Sequence, residues 1–395
     1  MNGMRTVRSA QFIDNYFPVI DGVTETVHEY ARHMQAVVIC PAMESRYLEK
    51  HSFPYKVLTS GTVRVPFSRY ASAVPYLDRK LKAQIMETSP EILHLHSPSL
   101  LGSYAVSLGK KTGIPVIGTF HSKIYDAVYE FTGSRAAARI VTSRAVKLYE
   151  NCDEVWACSE ESGETLRSYG YSKPYYVMPN GTDTSYPDNA AELKKRAAEV
   201  FHLPHEKHIL LFVGQQIWYK NQRLILDAFR MVCDRSGEYM LVMAGAGKDE
   251  RDIERYARSL NLADGQIRFT GLISDRKLLA GLYLNADLLF FPSVFDNAPL
   301  VLREAAVLGV PTLATEGSNA AGAIRKNVNG FTAAATPEAM SNEILRIFSE
   351  ENPVQAGRNA QASIPISWEK IAGLAQTRYM EVISRYRKPE YKGEK

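Results

Sequence analysis

Short, nearly continuous apolar runs recur along this chain, and they constrain its fold more than any other feature. In the first half they are RSAQFID, AVVICP, EILHLHS, IPVIGTFHS, EVWACS and YYVMPN; in the second, HILLFVG, YMLVMAGAG, QIRFTG, LLFFPS and VPTLAT. Runs that do not alternate with polar residues, and that stop at turn residues, read as strands buried on both faces. Between them the apolar period changes. Val23, Val27, Tyr30 and Met34 recur at helical spacing after Gly22, and Leu224, Ile225, Ala228, Phe229 and Val232 do so after Asn221. Strand and helix alternate about every 20 to 30 residues, which predicts an α/β chain with parallel sheets.

The chain has 395 residues. At roughly 150 residues per domain, that length favours two or three domains. The rhythm breaks at the polar stretch TDTSYPDNAAELKKRAAEVFHLPHEK and restarts at HILLFVG. This places a first doubly wound domain at residues 1–185, a connection at 186–207 and a second domain at 208–365. Residues 366–395, with SWEKIAGLAQTRYMEVISRY, read as a terminal amphipathic helix packing back toward the first domain.

Composition removes several function classes. Forty-seven basic side chains against 43 acidic ones give a net charge of only +4, without the basic stripe of a nucleic-acid binder. Cys40, Cys152, Cys158 and Cys233 form no CxxC pair, so neither a zinc knuckle nor a thioredoxin-like centre is expected. Sparse cysteine suits a reducing cytoplasm. The N-terminus lacks the apolar stretch of a secretory signal, and no apolar run is long enough to span a bilayer. A cytoplasmic protein is expected.

In open α/β sheets, ligands bind where strands end and helices begin. Four places qualify. In PVIDGV, Gly22 allows close backbone approach, although Asp21 as a plain helix cap explains the loop equally well. In GQQIWYKN, Gly214 ends a strand and Lys220 precedes the next helix, where a lysine adds point charge for a phosphate. In FPSVFDNAPLVLREAAVLGVP, Asp296 and Asn297 offer capping oxygens and Pro299 suits the first helical position. Glu304 then falls on the same helical side as Leu300 and can reach past the helix N-terminus toward a ribose. Finally, His94 and His96 alternate on one strand and His121 ends the next. No fourth ligand follows at metal spacing. A single histidine at a strand terminus, His121, is the better candidate.

Together these segments resemble the retaining family-four glycosyltransferases of the GT-B fold. FPVIDGV is similar to the family's N-terminal glycine loop, and LHLHSPSLLGSYAVSLGKKTGIPVIGTFHS to its acceptor-domain core. ACSEESGETLRSYGY with MPNGTD resembles the end of the first domain. FVGQQIWYKN resembles the glycine-to-lysine phosphate motif, beginning at Gly214 and Gln215. Asp296 to Glu304 resembles the paired-carboxylate motif. The resemblance implies two Rossmann-like domains facing each other across a cleft. It implies a metal-independent hexosyltransferase with no resident cofactor, using a nucleotide-diphosphate sugar, UDP-linked, and a glycan or lipid acceptor of the cell envelope.

By the same resemblance, Gly22 presents amides to the donor diphosphate and Lys220 neutralises it. Amides at Leu300 and Val301 cradle phosphate, and Glu304 holds the ribose. Asp296 binds hydroxyls of the transferred sugar, and His121 contacts that sugar near the reacting carbon. The chain departs from the family at three positions. Gln215 stands where arginine is common, with Arg223 and Lys248 as nearby substitutes. Asp296 stands where glutamate is common, and Pro299 where glycine is.

The stretch FTGSRAAARIVTSRAVKLY carries Arg135, Arg139, Arg144 and Lys147 with no acid. A basic amphipathic helix can lie on an anionic membrane surface. The plainer reading, preferred on sequence, is a solvated helix packing its apolar side on the first domain. Two further readings stay open: a membrane-surface diacylglycerol glycosyltransferase, and a non-catalytic nucleotide-sugar-binding protein.

Overall fold

The computed structural model describes residues 6–19, 21–43, 47, 52–64 and 71–387. The chain forms two compact units, Met1–Gly181 with Ser367–Lys395, and Thr182–Ile366. The strands of unit one, in chain order, are β1 (Ser9–Phe12), β2 (Val37–Pro41), β3 (Val57–Ser60), β4 (Thr62–Arg64), β5 (Ala71–Ala73), β6 (Ile92–Leu95), β7 (Val116–Phe120), β8 (Glu154–Ala157) and β9 (Tyr176–Val177). Seven of them form a parallel sheet in the order β3-β2-β1-β6-β7-β8-β9, and β4 and β5 make a separate antiparallel ribbon. Unit two holds β10 (His208–Val213), β11 (Tyr239–Ala244), β12 (Ile267–Gly271), β13 (Leu288–Phe291), β14 (Thr312–Thr315) and β15 (Phe331–Ala333). They pair in parallel in the order β12-β11-β10-β13-β14-β15.

The apolar runs form strands because both their faces are covered. Every residue of β6, β7, β8, β11 and β13 is buried. Each fully buried leucine or phenylalanine contributes about 2 kcal/mol of transfer free energy. The helices bury the stripes their spacing demands. Gly22–Met34 buries Val27, Tyr30 and Met34. Gln222–Cys233 buries Ile225, Ala228, Phe229 and Val232.

Two edge strands, β3 and β15, escape the sequence reading because VLTS and FTA are too short and too polar to stand out. The polar stretch read as a connection over 186–207 is also corrected. Its middle is a helix, Ala190–Phe201, that buries Leu193 and packs Ala197, Ala198 and Phe201 into the core of unit two. Gly281 of the helix Arg276–Asn285 lies so close that a Cβ there would stand 2.2 Å from the Leu193 carbonyl oxygen. The lysines, arginine and glutamates between the apolar residues hid this stripe.

The helix Trp368–Tyr386 belongs to unit one. Gln376 accepts the Val7 N–H at 2.7 Å, and the fully buried Tyr379 stacks on Trp156 with ring centroids 5.3 Å apart. Arg378 donates to both oxygens of Glu154 at 2.8 and 2.7 Å, Arg385 adds a third contact, and the Trp156 indole N–H donates to the same carboxylate at 2.8 Å. Burial disfavours the Glu154 charge, but these donors outweigh it and hold its pKa below the ordinary value of 4.5.

A carboxyl depressed on folding gives stability that is complete above its unfolded pKa and lost as pH falls through the folded one. Glu154→Gln is therefore expected to cost about 2 kcal/mol at neutral pH. It should also flatten the acid limb of the stability curve below pH 4.5. Urea unfolding followed from neutral to acid pH checks both.

Candidate active site

Each sheet reverses its strand order once, between β1 and β6 in unit one and between β10 and β13 in unit two. Connections on either side of such a point diverge and open a crevice at the carboxyl ends of the strands. The expected site residues gather at these two places.

In unit one, the segments after β1, β6 and β7 line a cavity of about 150 Å³ whose polar walls include Asn15, Asp21, His96, Ser97, His121 and Ser122. Ile20 of the glycine loop lies outside the described residues. Asp21 is a helix cap: its Oδ1 accepts from Val23 N–H at 3.0 Å and Thr24 N–H at 2.8 Å. Gly22 opens the helix, and a Cβ there would meet nothing within 4 Å. Its use is the open space beside the loop, not a strained turn.

His121 follows β7 and reaches the cavity, but both ring nitrogens are engaged. Nε2 lies 2.9 Å from His96 Nδ1, and Nδ1 lies 3.5 Å from Cys158 Sγ. His94 and His96 do share a face, with ring centroids 4.2 Å apart. His94 bonds Tyr379 and Thr119, both at 2.6 Å. Burial lowers the His121 pKa to about 3 and holds His94 and His96 well below the usual range. All three rings are neutral near neutral pH.

Sequence reading missed Asp14, at the end of β1. Burial pushes its carboxyl up to about 7, against a backbone hydrogen bond from Leu101, and it accepts from the Ser99 hydroxyl. Only burial distinguishes this aspartate, and burial is not visible in a sequence.

In unit two, Gly214 N–H bonds the Ala244 carbonyl at 3.0 Å, and Gln216 N–H bonds that of Ala246 at 3.1 Å. The loops after β10 and β11 thus run side by side. A Cβ on Gly245, whose φ is +125°, would stand 2.0 Å from the Gly214 oxygen; one on Gly247 would stand 2.2 Å from the Gln216 oxygen. Asn221, in the left-handed region at φ 63°, ties this loop to β13 through a 2.9 Å bond to the Pro292 carbonyl. Lys220 is thereby carried onto Asp296 in an ion pair, with both side chains largely covered. The Ser293 hydroxyl donates to the other Asp296 oxygen at 2.6 Å.

The capping expectation is corrected here. Asp296 faces Lys220 and Ser293, and Asn297 Oδ1 accepts from Asn319 at 2.8 Å. Pro299 is the extended residue before the helix, not its first member, because the helix begins at Leu300. The residue before a proline is pushed to extended backbone, which carries Asp296 and Asn297 away from the first helical amides. No side chain caps this helix. The N–H groups of Leu300 and Val301 are left to a ligand or solvent, the usual arrangement of a phosphate site. Glu304, one turn on, accepts from Tyr283 OH at 3.1 Å and Arg276 at 3.2 Å. Burial and this carboxylate push the Tyr283 phenol well above its ordinary range.

Gln215 is exposed and its carbonyl accepts from Gln222 at 2.8 Å. The Arg223 guanidinium lies over the Tyr256 ring at 4.3 Å and the Trp218 ring at 5.4 Å. Lys248 is exposed on the loop after β11. The Gln216 amide and Asn297 Nδ2, neither singled out as ligand contacts from sequence, are buried without a hydrogen-bond partner among the described residues.

This pair of doubly wound units is the fold of GT-B glycosyltransferases. The structure superposes on sucrose-phosphate synthase from Thermosynechococcus elongatus with a TM-score of 0.78 and 20% identity, over 96% of this chain and 100% of that one. It superposes on HepE from Anabaena, solved in complex with UDP, with a TM-score of 0.74 and 17% identity, over 95% and 100%.

Residues 20–186 match the model described as "Glycosyltransferase Family 4", and residues 194–363 match "Glycosyl transferases group 1". The chain belongs to the family-four glycosyltransferases. It is 25% identical to a GDP-mannose-dependent alpha-mannosyltransferase of Corynebacterium glutamicum, over 84% of this chain and 78% of that one. It is 24% identical to an alpha-monoglucosyldiacylglycerol synthase of Streptococcus pneumoniae, over 78% and 71%.

The paired glycine loops give a direct test. Gly245→Ala forces a clash and a strained φ, and should cost unit two about 2 kcal/mol and weaken nucleotide binding. Thermal unfolding with and without added UDP or GDP reads both. A variant as stable as the parent would show that the two loops are not locked together.

Proposed function

We propose that the chain is a retaining, metal-independent hexosyltransferase, moving a hexose from a nucleotide-diphosphate sugar to a glycan or lipid acceptor in cell-envelope or glycolipid synthesis. The observation that carries this reading is the unit-two switch point, where Lys220, Asp296 and the uncapped amides of Leu300 and Val301 stand together. The bond from the sugar's anomeric carbon to the phosphate oxygen breaks. A bond to the acceptor oxygen forms on the same face, and the acceptor proton passes to the departing phosphate. Lys220 and the helix amides carry the charge that develops on the diphosphate, which asks for no metal ion.

In the free protein Lys220 is held by Asp296. Donor binding exchanges that pair for two contacts, Lys220 with phosphate and Asp296 with a sugar hydroxyl. Glu304 gives up Arg276 to hold the ribose.

The finer donor assignment is a UDP-linked hexose. The name of the corynebacterial relative sets GDP-mannose beside it. Thermal stabilisation and hydrolysis across UDP- and GDP-hexoses decide between them. Glu304→Ala should weaken nucleotide affinity about tenfold, whereas Lys220→Ala should lower kcat by roughly 10²–10³. Donor binding without turnover under any acceptor would overturn the enzyme reading in favour of a binding protein.

We further propose contact with an anionic membrane. Arg135, Arg139, Arg144 and Lys147 are all exposed on the helix Arg135–Glu150. Ala138, Ala145, Val146 and Tyr149 pack inward, but Ile140 and Val141 face solvent. The preceding helix, Ile124–Thr132, buries no residue, and Phe131 at its end is 83% exposed. Basic and apolar side chains are thus presented together, which supports surface binding. Among the described residues no helix is long and apolar enough to cross a membrane. Flotation with anionic liposomes should capture the protein, and charge reversal at Arg135 and Arg139 should abolish capture. Equal flotation of the reversed variant would sink the membrane reading.

A further inference from the structure

Four side chains form one hydrogen-bonded line across the carboxyl ends of adjacent strands. Gln11 lies on β1, and His96, His121 and Cys158 stand just after β6, β7 and β8. Gln11 Oε1 meets His96 Nε2 at 2.8 Å, His96 Nδ1 meets His121 Nε2 at 2.9 Å, and His121 Nδ1 meets Cys158 Sγ at 3.5 Å.

The Gln11 amide is anchored at its nitrogen, which donates to Ser9 Oγ at 2.9 Å and to Tyr379 OH at 3.3 Å. Its oxygen, turned to His96, can only accept. A neutral imidazole carries one N–H. His96 must therefore hold its proton on Nε2, which leaves a lone pair on Nδ1. His121 must in turn hold its proton on Nε2 to bond that lone pair. His121 Nδ1 is then an acceptor, met among the described residues by a thiol, which is a weak donor. The thiol has a second acceptor in the Phe120 carbonyl at 3.8 Å.

We propose that Gln11 is a positioning residue that acts through His96 to fix His121 as its Nε2–H tautomer. His121 then meets a hydroxyl of the transferred sugar as a hydrogen-bond acceptor through Nδ1, while the Cys158 thiol turns to the Phe120 carbonyl. The sugar contact rests on the transferase reading of this cavity; the tautomer does not. A neutral acceptor welcomes a hydroxyl and repels a carboxylate. Gln11, 0% exposed and on a strand, thereby takes part in donor selection without touching the donor.

Long-range proton–nitrogen correlation spectra of the full chain, labelled at histidine, test this without any ligand. His121 is expected to be protonated on Nε2 and bare on Nδ1. Gln11→Glu keeps the accepting oxygen and should keep that tautomer. Gln11→Met removes it, and should mix the tautomers and lower kcat/KM about tenfold. A proton on Nδ1 in the parent protein, which an inverted Gln11 amide would produce, overturns the proposal even if the methionine variant fails to fold. So does an unchanged tautomer in a folded Gln11→Met.

Adding UDP- and GDP-hexoses then reads the contact. A shift of the Nδ1 resonance supports the acceptor role, and a bound donor that leaves it unmoved overturns that role. Binding of none of these donors would count against the transferase reading and leave the tautomer result standing.

Discussion

A parallel strand buried on both faces leaves the chain one way to reach its neighbour, by a helix laid across the sheet and back to the same starting edge. Every pairing within the seven-stranded sheet of unit one and the six-stranded sheet of unit two is parallel. All the segments leaving strand carboxyl ends therefore emerge along one edge of each sheet. That constraint brings Lys220 onto Asp296, and His96 onto His121, across long stretches of sequence. Reversal of the strand order then opens room between two of those segments. The cavity beside β1 and β6 and the uncapped helix after β13 both stand at such a reversal.

The two switch points differ in chemistry. In unit two the charged groups hold one another in the absence of a ligand: Lys220 with Asp296, and Arg276 with Glu304. A largely covered pair such as Lys220 with Asp296 regains in attraction about what it loses in solvation. In unit one the three histidine rings are neutral, and the carboxylate of Asp21 at the cavity wall is spent on capping a helix. Burial has removed charge from three histidines and pushed the Asp14 carboxyl up to about 7.

Much of this was legible in the residues. Continuous apolar runs announced the buried strands, and the glycines, lysine and carboxylates picked out after strands do stand at the two points where the strand order reverses. What stayed hidden has identifiable physical causes. The helix Ala190–Phe201 presents lysines and glutamates to solvent on three sides, so its apolar stripe looked like a linker. Asp296 read as a cap because capping residues and ion-pair partners are the same amino acids; only the extended backbone at Pro299 separates the roles. Asp14 and Gln11 carry no motif at all, since their properties come from neighbours supplied by other strands and by the last helix.

That last helix has a consequence for how the protein is made. The chain leaves unit one after Gly181 and returns to it at Ser367, and at the junction the Thr182 N–H bonds the Ile366 carbonyl at 2.8 Å. Unit two is thus a closed insertion whose two ends meet. A ribosome therefore delivers all of unit two before it delivers Tyr379, the side chain that covers Trp156 and bonds His94. Throughout that interval β1, β6 and β8 lack the ring that completes their face. Unit one, the first to be translated, is the last to be finished, and its nascent sheet must wait with a buried polar network half assembled.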